Sequence, residues 1–271
     1  MNRSRARNLR TTGVTLVFSL SLAAAVRAHD TWIGPLKPVV KVGESATVEG
    51  TSGMKFPELE TAVAPDRIRT AAYRVGNATK PVSEKTKGPK SITLRIRPES
   101  AGVVTVWLES KPRAIDLKPD QVPEYLEEIG ADEIARDWKS EGSGGWHETY
   151  TKHAKTFLRT DPPAEDRSWM KPVGMDLEIV PESDPTQVRT GDEVSFLLLE
   201  AGRPLADFPV TALAAGMTKG TLAKTSSEGK VRFRLDRKGW WLIKGTHVVR
   251  GNAKGTWDSH FSTVTILATG P

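Results

Sequence analysis

The chain carries five histidines, at positions 29, 147, 153, 247 and 260, and no cysteine. Any transition-metal chemistry must therefore run on imidazole and carboxylate donors. His29 has the most unusual position. It follows "AAAVRA", in which Val26 and Ala28 suit the −3 and −1 positions of a secretory cleavage site. Cleavage after Ala28 makes His29 the first residue, and its free α-amine and ring Nδ1 can then close one chelate ring. An α-amine titrates at about 7.7–8.0 and an imidazole at about 6.5, so both nitrogens are readily neutral. Nitrogen donors suit nickel, cobalt, copper and zinc, with Cu(II) generally the tightest. Asp30 offers an oxygen ligand, or an acceptor that orients the His29 ring. His147 and His153 are further candidate ligands, beside a helical insert. No pair forms an HxH, HxxxH or HExxH pattern. A spacing of six suits one face of a strand better than one face of a helix. The simpler reading of His153 and His260 is as ordinary strand histidines.

Catalytic patterns are sparse. There is no cysteine nucleophile and no G-x-S-x-G. "GSGG" (142–145) follows a charged helix end rather than a strand, which excludes a phosphate loop. The expectation is a binding protein rather than an enzyme.

The elements that position these residues begin after a leader. Arg3, Arg5, Arg7 and Arg10 precede an apolar run from Gly13 to Val26, too short for a spanning helix. Residues 1–28 are read as a signal peptide, and the mature chain as periplasmic or extracellular and not membrane-embedded. Removing five arginines (Arg27 included) and no acid lowers the formal charge from +6 to +1. A nucleic-acid partner loses its main support with that basicity.

Two halves of similar plan follow. "VVKVGESATVEG" (39–50) and "QVRTGDEVSFLLLE" (187–200) share a glycine-acid turn opening a strand. "SITLRIRPESAGVVTVWLES" (91–110) and "GKVRFRLDRKGWWLIKGTHV" (229–248) share period-two alternation around a glycine turn, and both read as hairpins. "EAGRPLADFPV" reads as a hairpin connection through Gly202. The fold class is mainly β: two immunoglobulin-like β-sandwiches, 29–165 and 173–271, with a short helical insert at 119–145 in the first. In the insert, Tyr125, Leu126 and Ile129 form one apolar side, and Ile134 and Trp138 lie four apart. "WHETYTKHAKTFLRT" (146–160) fits either period, and its threonines favour a returning strand. "DPPAEDRSWMKPVG" (161–174) reads as the linker. Trp32 is expected to staple the chain start, and Trp240 and Trp241 to face opposite sides of one strand.

"AHDTWI", "VGESATVEG", "ETYTKHAKTFL", "PVGMDLEIVPESDP", "GRPLADFPVTAL", "GWWLIKGTH" and "WDSHFSTVTI" occur in that order. Together they resemble the bacterial family called domain of unknown function 4198. Its members are often described as periplasmic components of cobalt and nickel uptake. The resemblance spans nearly all of the mature chain and implies metal binding with delivery to a membrane metal-transport complex. His29 matches the family's histidine at the mature start. His247 matches the histidine after the "GxWLI" strand, which makes it the first-choice partner for His29. His260 stands where the family usually has an aromatic residue. The expected function is an exported binding protein for a divalent metal (nickel, cobalt, copper or zinc). The alternative is a structural or interaction sandwich without metal, binding carbohydrate through exposed tryptophans.

Overall fold

Glycine placement sets where the strands of both halves begin. In the computed structural model, which describes residues 29–270, Gly43 and Gly191 have φ of 82° and 95°. A side chain disfavours that left-handed conformation. Their amides donate to Pro98 O and Leu235 O, both at 2.7 Å. The strands Ala46–Gly53 and Glu193–Glu200 follow. The repeated glycine-acid opener is thus the same device used twice, each time tying a strand start to the end of a later strand. The leader expected at 1–28 lies outside the described residues.

The two segments expected to be hairpins are crossovers instead. Ile92–Ile96 pairs with Ala46–Gly53 and Glu84–Lys87, whereas Val103–Ser110 pairs with Ile68–Val75 and Trp146–Asp161. Lys230–Arg234 pairs with Glu193–Glu200, whereas Gly239–Arg250 pairs with Pro209–Ala214 and Thr256–Ala268. Each turn carries the chain from one layer to the other. The cause is burial from both sides. Ile92, Leu94 and Ile96 share a core with Val104, Val106 and Leu108, and Val231, Phe233 and Leu235 share one with Trp241 and Ile243. Two inward faces meeting across a core is sandwich packing, and its alternation is the same as a hairpin's. The connection after Glu200 is a hairpin as expected: Glu200 pairs with Arg203, and Ala201 and Gly202 both have positive φ, as a tight hairpin turn demands.

A 5-stranded sheet covers the first core and a 4-stranded sheet the second, and both face one 10-stranded sheet. The long strand Trp146–Asp161 joins the halves of that shared sheet. It runs antiparallel to Val103–Ser110 and parallel to Thr256–Ala268. Ala154 and Leu158 belong to the first core, Phe157 to the second. The protein is thus a pair of β-sandwiches built on a common sheet.

The insert forms helices Val122–Glu128 and Asp132–Ser140. It buries Tyr125, Leu126 and Trp138 against Trp146, Trp257 and Phe261. Trp146 and Trp257 stack at 4.5 Å. Buried Glu148 accepts hydrogen bonds from Tyr125 Oη (2.8 Å), Trp146 Nε1 (2.6 Å) and Ser259 Oγ. The insert therefore sits on strands of both halves.

Trp32 packs edge-on to Phe56 at 5.6 Å, with Trp240 against the same small cluster. Trp241 lies in the second core, so this tryptophan pair does face opposite sides. Seven of the eight tryptophans are buried and Trp240 is half-buried. Among the described residues, no helix is long and apolar enough to cross a membrane.

Candidate metal centre

Five neighbouring strands of the shared sheet each contribute one polar side chain to a row. In sheet order these are His247, His260, His153, Glu109 and Arg69. His247 and His260 are direct antiparallel partners. Arg69 falls at a register shift between Ile68 and Thr70. Such a bulge re-aims a side chain, and here the guanidinium reaches Glu109.

The closest contacts are in the middle of the row. His153 Nε2 lies 3.3 Å from His260 Nδ1, with the rings stacked at 5.5 Å. His153 Nδ1 lies 3.2 Å from Glu109 Oε2. A carboxylate accepts only, so Nδ1 of His153 carries the proton and its Nε2 lone pair faces His260. Asp176 Oδ2 is 3.9 Å from His260 Nδ1. One ligand atom each from His153, Asp176 and His260 falls within 4.8 Å of the others, the one such group of three among the described residues. His153 is fully buried, His260 half-buried and Asp176 exposed, so the group opens to solvent on the Asp176 side.

Asp176 is held from below. The carboxylate of Glu178 accepts the amides of Val173 (2.7 Å), Gly174 (2.9 Å) and Met175 (3.2 Å). It also pairs with Lys155, and both side chains are at most 2% exposed. Arg74 donates to the carbonyls of Ser168, Lys171 and Pro172. The later part of the segment read as the linker is thus fastened from both halves, by Arg74 and by Glu178.

Charge shapes the group further. Arg69 Nη2 reaches Glu109 Oε2 at 2.9 Å and Asp176 Oδ2 at 3.4 Å. Burial pushes the Glu109 carboxyl up, but hydrogen bonds from His153 and Arg69 outweigh it and hold it below its ordinary range. Burial, aided by His153, lowers the imidazole of His260. A neutral His260 keeps a nitrogen lone pair available.

The other expected ligands lie apart from this group. His147 is exposed and bonds Asp116 at 2.7 Å. Six residues at about 3.3 Å each put it about 20 Å along the strand from His153. His29 is exposed, and its carbonyl accepts from Lys152 Nζ. Lys152 and His153 point to opposite faces of one strand, so His29 sits on the other side of the sheet from the His153 ring. Asp30 pairs with Lys244 at 2.6 Å rather than orienting His29. His247 lies in the row, its Nδ1 2.9 Å from Glu200 Oε1 yet without hydrogen-bonding geometry.

His260, Asp176, Glu109 and Arg69 were not anticipated as site residues. The period-two face shared by His153 and Lys155 is the one local signal, and it says nothing of partners 23 to 107 residues away.

The architecture defines a two-sandwich β-protein with a half-open histidine–carboxylate group where the halves join. The chain belongs to the family described as domain of unknown function (DUF4198), whose model matches residues 26–249. No curated protein matches it. Among solved structures it is similar to the D0-D1 domain of intimin, at 12% identity and a TM-score of 0.20, covering 88% of this chain and 98% of that one. It is also similar to the Yersinia pseudotuberculosis adhesin InvE, at 8% identity and a TM-score of 0.20, covering 87% of this chain and 58% of that one.

Proposed function

We propose that the chain is an exported binding protein for a divalent transition metal of the nickel and cobalt class. It holds the ion at His153, His260 and Asp176 and passes it to a membrane transport complex. The observation that carries this reading is the 3.3 Å separation of His153 Nε2 and His260 Nδ1 beside a carboxylate. Two nitrogens bonded tetrahedrally at about 2.0–2.1 Å lie about 3.3–3.4 Å apart. Glu109 supports it by fixing the His153 tautomer, the usual partner of a ligating imidazole. Three ligands leave a coordination position open for water or a receiving ligand, and the exposed Asp176 gives a way in and out. Export is supported by the leader pattern at 1–28. The site is placed here rather than at His29, with His247 the adjacent nitrogen in the row.

Calorimetric titration of the full chain with Ni²⁺, Co²⁺ and Zn²⁺ tests this. The expected result is one ion per chain, with His153→Ala and His260→Phe weakening binding by roughly a hundredfold and His29→Ala leaving it unchanged. No saturable binding by the parent chain, or equal binding by His260→Phe, overturns the reading.

A further inference from the structure

On the opposite face of the shared strand, a cavity of about 300 Å³ lies beneath the start of the described chain. Arg67, Arg113 and Lys152 line it with the hydroxyl-bearing Ser52, Thr61 and Tyr150, and among the described residues no aspartate or glutamate does. We propose that this cavity binds a small multivalent oxyanion, with phosphate and tricarboxylate as the matching chemistries.

Lys152 carries the argument. Its ammonium has three donors but among the described residues bonds only the His29 carbonyl, and it lies 5.4 Å from the Tyr150 ring and 5.6 Å from the Phe261 ring. Among the described residues no carboxylate reaches it within ion-pair distance. The nearby acids are committed elsewhere. Asp30 holds Lys244, and Glu148 accepts from Tyr125, Trp146 and Ser259. Lys152 is half-buried, and a cation with no carboxylate in contact favours an anion entering the cavity. Arg113 is exposed at the rim and adds to the positive potential around Lys152. Arg67 is braced on Lys111 O at 3.1 Å, which fixes its guanidinium beside the opening. Three cations favour a polyanion over acetate or chloride.

The test is calorimetric titration of the full chain with inorganic phosphate, and separately with citrate, against sodium chloride at equal ionic strength. One anion per chain is expected, bound about tenfold more weakly by Arg113→Gln and by Lys152→Met, and retained by Lys152→Arg. A response to phosphate alone or to citrate alone assigns the anion within the proposed class. Heats equal to those of chloride overturn the proposal. So does undiminished binding by Arg113→Gln, an exposed change that leaves the fold intact. These measurements involve no metal, so they stand or fall apart from the His153–His260 reading.

Discussion

His153 Nε2 and His260 Nδ1 stand 3.3 Å apart across neighbouring parallel strands, 107 residues distant in sequence. The pair exists because the strand returning from the first half becomes the neighbour of the chain's last strand. One side of the pair is fixed by Glu109 from the first half, and the other is approached by Asp176 at the entry to the second. The group is therefore a property of the junction, and each prediction below perturbs one part of it or of its surroundings.

Arg69 places a positive charge between Glu109 and Asp176, where it competes with an incoming cation. Arg69→Met is expected to tighten metal binding by roughly three- to tenfold at low salt, with the gain shrinking as salt screens the half-exposed guanidinium. Titrations at low and high ionic strength check this. Weaker binding by the variant would mean that Arg69 positions Asp176 rather than opposing the ion.

Glu178 neutralises buried Lys155 and clamps the turn that presents Asp176. Glu178→Gln leaves the Lys155 ammonium buried without its counter-charge and should cost about 3–5 kcal/mol. Urea denaturation measures the loss. Lys155→Met with Glu178→Gln removes the orphaned charge and should recover much of it. Equal stability of single and double variants would contradict an uncompensated charge as the cause.

The fold was largely legible from local pattern, and the junction was not. The run of β-formers after the glycine-acid turn located Glu193–Glu200, and the threonines of 146–160, a segment that fits either period, located the long strand Trp146–Asp161. Glycine turns marked both strand openers, and Tyr125, Leu126 and Trp138 marked the buried side of the insert. Alternation says which side of a strand is buried but not which strand lies beside it. Ile92–Ile96 and Val103–Ser110 therefore looked like a hairpin while belonging to opposite layers. The same blindness hid the site. His153 and His260 look like ordinary strand histidines one at a time, and only parallel pairing over their strands makes them neighbours. His29 stood out because cleavage chemistry is local and readable, yet the fold places it on the other face.

Burial pushes the ammonium of Lys152 down to about 8, with Arg113 acting the same way and Asp30 and Glu148 opposing. In the unfolded chain the same group titrates at about 10.4. Between those values the unfolded state holds more protons, so this group makes stability rise with pH across that window. Denaturant unfolding between pH 7.5 and 10 should show the rise in the parent chain relative to Lys152→Met. A difference that stays constant with pH would contradict a depressed Lys152.

X-ray absorption of the full chain loaded with one equivalent of Ni²⁺ or Zn²⁺ tests the metal site most directly. The expected spectrum shows two imidazoles, with metal–nitrogen distances of about 2.0–2.1 Å for zinc, and loses imidazole scattering in His260→Phe. A shell of oxygen donors alone, or a spectrum unchanged by His260→Phe, would contradict a metal centre at the junction.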